Sequence, residues 1–318
     1  MAASSSKRLT DRTRQLPPIK RLIKLIGRIT FACMFKASGL LRPWSVKALG
    51  NTLGSAFYYS SRRYRTIALR NLRSVFAGEM TDPKIRGIAK DVFRHFTRGA
   101  VEFFYLLSLS REKIDGLIDF EGKEHIDEAL SLGKGCIIVT AHYGNWELLA
   151  RKLVILGYKV NVIARDSDDA GITGVTQRIR ESGGYKVFDR NQPIIGAFRA
   201  LKKNEILGIL PDQNDCDGIF VPFFGRPAKT AEGPAVLSLK SGAPIVPVFA
   251  PRIEEYRYRA VAHPFICFDP SGDDKKDVYN LMALVNKAIE DEVRRCPSQW
   301  LWLHDRWKLS AEAEHDNA

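Results

Sequence analysis

A histidine and a glutamate separated by four residues, His142 and Glu147, stand directly behind the apolar run Cys136-Ile137-Ile138-Val139, in the segment AHYGNWE. The run is too short for a helix and follows Gly133 and Gly135, so it reads as a buried strand. Leu148, Leu149, Leu153 and Val154 then continue at helical spacing behind Asn145, a good N-cap residue. On one ideal helix His142 and Glu147 would lie about 140° apart, so they can meet only if His142 sits in the strand-to-helix loop. There a neutral imidazole can take a proton from a bound hydroxyl. Glu147, favoured by the positive end of the helix, is expected to hold the other ring nitrogen and stabilise the imidazolium. Backbone N–H groups of the following turn, at Gly144 and Asn145 first, are candidate donors to an oxyanion.

Such a loop needs a scaffold that points it outward. Strand-like runs at 136–140, 159–163, 206–210, 245–250 and 257–262 alternate with helical spacing at 146–156, 173–181, 194–203, 231–241 and 276–295, after a longer helical pattern at 83–109. This alternation predicts an α/β fold: a mostly parallel central sheet flanked by helices, with an N-terminal basic amphipathic helical flank. His142, Arg165 and Asp212 would then stand at carboxyl ends of strands, where such sheets bind ligands. The chain divides into a membrane-associating helical region at 1–112, a catalytic α/β domain at 113–309 and a polar, disordered tail at 310–318.

The 318 residues carry a formal net charge of +13, which calls for an anionic partner. Lys20, Arg21, Lys24, Arg28, Lys36, Arg42 and Lys47 are interleaved with Leu, Ile, Phe and Trp, and no nucleic-acid module accompanies them, so the expected partner is anionic membrane lipid and not nucleic acid. The longest clean apolar stretch, 29–35, is far below the ~20 residues needed to cross a bilayer. Residues 23–59 therefore read as interfacial helices, with Trp44, Phe57, Tyr58 and Tyr59 as boundary anchors. The five cysteines show no metal-ligand spacing, and neither a metal nor another cofactor is expected. Only Cys216, in a polar stretch near Asp212, could be exposed enough to react. There is no G-x-S-x-G elbow, P-loop, H-E-x-x-H or G-x-G-x-x-G, so a direct transfer without a covalent enzyme intermediate is the simplest chemistry.

The segment His142-Tyr143-Gly144-Asn145-Trp146-Glu147 resembles the H-x(4)-E signature of the bacterial lipid A late acyltransferases, members of the lysophospholipid acyltransferase-like superfamily. Further blocks follow in that family's order: Val162-Ile163-Ala164-Arg165, Phe188-Asp189-Arg190, Leu210-Pro211-Asp212-Gln213, Phe220-Val221-Pro222-Phe223-Phe224-Gly225, Gly242-Ala243-Pro244 and the terminal Trp300-Leu301-Trp302-Leu303-His304-Asp305-Arg306-Trp307. The arginine block departs from the family's Tyr-Arg-Pro form, reading Ala164-Arg165-Asp166. The resemblance implies an acyl donor that is an acyl carrier protein or coenzyme A thioester. It implies a lipid A precursor or other glycolipid as acceptor, and a place on the cytoplasmic face of a bacterial inner membrane, peripheral or monotopic. Arg165, Arg180 and Arg190 are candidates for gripping anionic groups, since a guanidinium binds phosphate bidentately. Asp212, Gln213 and, more weakly, Thr230 carry over as substrate-binding positions, the run 220–224 as an acyl-chain lining, and His304 and Arg306 as packing and hydrogen-bonding groups. The alternatives are acyl transfer to a lysophospholipid or a phosphatidylinositol mannoside, and a non-catalytic lipid-binding protein.

Overall fold

The central strands carry almost no polar side chains because both their faces are covered. A computed structural model describes residues 40–164, 170–189 and 194–308. The chain there opens with three helices, α1 (Pro43–Ser60), α2 (Arg62–Phe76) and α3 (Asp82–Tyr105), and a short α4 (Arg111–Asp115). It continues through β1 (Ile118–Glu121), α5 (Lys123–Ser131), β2 (Cys136–Val139), α6 (Trp146–Ile155), β3 (Val160–Ala164), α7 (Ala170–Glu181), β4 (Lys186–Asp189), α8 (Ile195–Lys202) and β5 (Ile206–Ile209). A hairpin, β6 (Asn214–Phe223) and β7 (Arg226–Thr230), interrupts the alternation. Then come α9 (Gly233–Ser241), β8 (Ile245–Phe249), β9 (Arg252–Glu254), β10 (Arg257–Ala262) and α10 (Asp274–Arg295).

The sheet order is β1-β10-β8-β2-β5-β3-β4, with β9 also pairing β10, on the edge opposite β1. All neighbours from β8 to β4 are parallel, as are β1 and β10; the antiparallel pairs are β10 with β8 and with β9. This is the α/β architecture that the alternation predicts. Strand pleating divides β2 between two cores. Ile137 and Val139 join Leu72, Phe76, Val92, Phe93 and Leu207 on one side, so α2 and α3 close that face of the sheet. Cys136 and Ile138 join Leu148, Leu149, Leu153 and Val160 beneath α6 on the other.

Parallel register decides what meets at the carboxyl edge. Val139 pairs with Ile209, so His142 and Asp212 each stand three residues beyond matched positions on adjacent strands. On the amino-terminal side, Gly50 and Gly54 let α1 lie directly against α3: a Cβ at Gly54 would fall 2.6 Å from the Arg94 Cα. Arg165, Arg190, most of the basic segment 23–59 before residue 40, and the tail after 308 lie outside the described residues.

Candidate active site

His142 sits in the loop between β2 and α6, as required for a residue that approaches a bound hydroxyl. Its Nδ1–H donates to Asp212 Oδ1 (2.8 Å), and its backbone N–H donates to Asp212 Oδ2 (2.8 Å). Trp300 Nε1–H also donates to Oδ2 (2.9 Å). A carboxylate only accepts, so the neutral imidazole carries its proton on Nδ1 and presents a bare Nε2 lone pair, the state a general base requires. The Trp146 ring packs edge-on against the imidazole at 5.1 Å. Asp212 is 1 % exposed, and burial alone would raise its pKa; the positive charge available at His142 and the three donors outweigh this and hold the carboxyl below its ordinary value.

Glu147 does not hold His142, contrary to the reading of the H-x(4)-E spacing. Its carboxylate is taken by Arg180, through Nη2 (2.6 Å) and Nε (3.1 Å), and by the Tyr185 hydroxyl (2.6 Å). Glu147 stands in the first turn of α6, beyond the loop, while parallel strand pairing delivers Asp212 to the imidazole. Arg180 is correspondingly not a free anion grip: burial disfavours its charge, but Glu147 more than offsets that and raises its pKa. Burial, reinforced by Glu147, pushes the Tyr185 hydroxyl well up.

The loop is clamped from behind by α3 and the β8 end. Asn145 caps α6, its Oδ1 accepting from Leu148 N–H (2.9 Å), and its Nδ2 donates to Glu102 Oε2 (3.3 Å). Glu102 lies inside α3's buried face, paired through both oxygens with Arg252 (2.6 and 2.7 Å) and accepting from the Tyr258 hydroxyl (2.5 Å). His95 of the same helix donates from Nε2 to the Gly144 carbonyl (3.1 Å). Burial, with the charges of Arg252 and Arg98, pushes the His95 pKa down to about 3. Gly144 needs its φ of +62°, and a Cβ there would strike the Ala250 carbonyl oxygen at 2.1 Å. The expectation that Gly144 and Asn145 donate to an oxyanion fails for the same reason: their N–H groups are already spent on the Gln299 (3.2 Å) and Ala250 (2.9 Å) carbonyls.

A cavity of about 530 Å³ opens at His142 and runs back between α6 and the sheet. Ile138, Leu149, Leu153, Val160 and Ile206 line its apolar part, while His142, Glu147, Gln213, Asp215 and Asp217 line the end beyond the strands. Gln213 thus reaches the site, and Asp212 stands behind His142. Thr230 does not line the cavity; buried in β7, its hydroxyl donates to the Ala228 carbonyl (2.8 Å) and accepts from Arg306 (2.5 Å). The run 220–224 lines no part of it either. Val221 and Phe223 are buried, with Phe223 stacked on Trp307 at 5.8 Å, so this segment binds the terminal block to the core. His304 and Arg306 have the expected structural tasks: His304 Nε2 accepts from Asn214 N–H (2.9 Å), and Arg306 donates to the Lys229 carbonyl (2.6 Å). Burial lowers the Arg306 pKa to about 10.

The Trp300 bond to Asp212, Tyr185 and the Glu102–Arg252 pair escaped the sequence reading, which placed Trp300 only in the terminal block. The signal for Glu102 was a carboxylate on the apolar stripe of a helix, between Val101 and Phe104; Tyr185 gave no comparable signal.

The lipid A biosynthesis palmitoleoyltransferase of Escherichia coli (strain K12) is 28% identical over 272 residues, covering 84% of this chain and 86% of the relative. The lauroyltransferase of the same organism is 28% identical over 269 residues, 83% and 85% of the two chains. A phosphatidylinositol mannoside acyltransferase of Mycobacterium tuberculosis (strain CDC 1551 / Oshkosh) is 27% identical over 222 residues, 65% and 66%. The model of the family described as bacterial lipid A biosynthesis acyltransferase matches residues 24–309, which takes in every element from α1 to α10. By that span, the protein is an acyltransferase and belongs to the bacterial lipid A biosynthesis acyltransferase family.

Proposed function

We propose that the enzyme transfers a fatty acyl chain from a thioester to a hydroxyl of a lipid A precursor or similar glycolipid, with His142 as general base. The observation that carries this reading is the His142–Asp212 pair, with its bare Nε2, beside a cavity of about 530 Å³ that His142 lines together with Ile138, Leu149, Leu153, Val160 and Ile206. The acceptor hydroxyl loses its proton to His142 Nε2 as its oxygen attacks the thioester carbonyl. Asp212 fixes the tautomer and offsets the charge of the imidazolium. The donor is an acyl carrier protein or coenzyme A thioester, either of which is acidic and suited to a chain of net charge +13. Anionic lipids of the inner membrane, at its cytoplasmic face, are the surface that holds the enzyme to its acceptor. The similarity to phosphatidylinositol mannoside acyltransferases supports a second reading, in which another glycolipid is the acceptor.

A panel of both donor types against lipid A precursor, phosphatidylinositol mannoside and lysophospholipid, read by product mass, tests the assignment. His142→Ala is expected to lower turnover by about 10²- to 10⁴-fold while the protein stays folded. Wild-type rates in that variant would remove the general base. Donor-only incubation should leave the protein's mass unchanged, and Cys216→Ala should retain turnover; a stoichiometric acyl adduct discharged by acceptor would replace the direct route with a covalent one.

A further inference from the structure

We propose that the Thr140 hydroxyl is a catalytic hydrogen-bond donor to the thioester carbonyl oxygen, acting with the Trp146 N–H at the start of α6. The inference rests on the acyl-transfer reading above and supplies the group that carries the charge of the tetrahedral intermediate.

Thr140 is 5 % exposed, yet its Oγ1 has no hydrogen-bond partner. A buried hydroxyl left unpaired is costly, and its presence calls for a reason. This one lines the catalytic cavity. Strand pleating sends Ile137, Val139 and Ala141 into the core beneath α2 and α3, while Ile138, Thr140 and His142 all line the cavity. Along that face the order is alkyl, hydroxyl, imidazole. A fatty thioester whose chain lies over Ile138 and Leu149 brings its carbonyl to the level of Thr140, next to the base.

The competing donors of the loop are already engaged. His142 N–H is on Asp212, Tyr143 N–H on the Ala141 carbonyl, Gly144 N–H on Gln299 and Asn145 N–H on Ala250. Trp146 begins α6, so its N–H has no acceptor within the helix, and the residue lines the cavity. A cavity lined by both an unpaired hydroxyl and a helix N-terminus is a good place for developing negative charge.

In the step, the acceptor oxygen bonds to the carbonyl carbon as its proton passes to His142 Nε2. The C=O π pair moves onto oxygen, which accepts from Thr140 O–H and Trp146 N–H. Collapse re-forms C=O, breaks C–S, and the proton returns from His142 to the departing thiolate.

Thr140→Val keeps the shape and removes only the unpartnered hydroxyl. Its kcat is expected to fall about 10²- to 10³-fold with little change in donor KM, while the thermal midpoint holds or rises, and Thr140→Ser should restore most of the rate. Wild type and His142→Ala are assayed alongside with the same donor and acceptor. If wild-type turnover is lost in His142→Ala but Thr140→Val turns over normally, the Thr140 role is overturned and the parent reading stands. A fall in kcat accompanied by a lower midpoint and no rescue by serine makes Thr140 structural and overturns the proposal too. Absence of acyl transfer by wild type with every donor and acceptor overturns both.

Discussion

Replacing one oxygen of Asp212 by an amide nitrogen changes no contact distance but turns an acceptor into a donor. Asp212→Asn would then face the imidazole with the wrong group or force its proton onto Nε2, leaving no lone pair for the acceptor. Its kcat is expected to fall by about 10³- to 10⁴-fold, the scale seen when an orienting carboxylate is neutralised in other triads. Activity near wild type would show that His142 needs no fixed tautomer. Glu147 predicts a different signature. Glu147→Gln leaves the largely enclosed Arg180 guanidinium unbalanced, and breaking a buried pair costs about 3–5 kcal/mol. Denaturant unfolding should show a large loss of stability for Glu147→Gln and only a small one for Asp212→Asn. The H-x(4)-E spacing picked out both residues as functional, but spacing along a chain carries no information about which carboxylate a neighbouring strand delivers.

The elements show the same division. Helix α6 runs as the leucine spacing and Asn145 cap predict, and β2, β5 and β8 fall within a residue or so of the apolar runs that announce them. Short edge strands such as β4, Lys186–Asp189, carry too few apolar positions to stand out, and the β6–β7 hairpin is hidden by its turn. That turn places Phe224 at φ +51° and Gly225 at φ +70°, and a phenylalanine there is a weaker signal than the usual Asn-Gly. Gly208 on β5 makes an element-level prediction. It lines the cavity between Ile138 and Val162, and its missing side chain leaves room there, since a Cβ would already come within 3.3 Å of Val162 Cγ1. Gly208→Val should shift donor preference toward shorter acyl chains, read as kcat/KM across a chain-length series; an unchanged profile would place the chain elsewhere.

For the whole molecule, acid is the expected weakness. His95 is held neutral with a pKa of about 3, against 6.5 for an ordinary histidine, so between those values the unfolded chain binds a proton that the folded chain refuses. Stability from this group is present above pH 6.5 and drains away as pH falls toward 3. His304, also lowered by burial, acts in the same direction, and so does Asp212, whose contribution is lost as pH falls below the ordinary carboxylate value and its depressed carboxyl protonates. Unfolding midpoints at pH 8 and pH 5 should differ less in His95→Gln than in wild type; an equal difference would assign the acid sensitivity elsewhere. The surface makes a second prediction. Trp44 (72 % exposed), Leu49 (42 %) and Leu53 (49 %) lie on α1, no described helix is long and apolar enough to cross a membrane, and Arg62 and Arg63 follow on α2. Leu49→Asp with Leu53→Asp should weaken binding to anionic vesicles, and added salt should weaken it further, because the arginine attraction is screened. Undiminished vesicle binding would move the contact off α1.

Apolar periodicity and the Asn145 cap were enough to specify an α/β fold with His142 in a strand-to-helix loop, because each is a local property of the chain, and the acyltransferase reading came from the resemblance of the H-x(4)-E segment and the blocks that follow it to a known family. Which carboxylate faces His142, which N–H groups remain free and where the cavity runs all depend on partners far along the chain. Asp212 reaches His142 through parallel pairing and Trp300 reaches Asp212 through the docking of the terminal block, while Gln299 and Ala250 consume the donors that the loop offers in sequence. Hydrogen bonds between residues tens to hundreds of positions apart are settled by register and packing, and these exist only once the chain has folded.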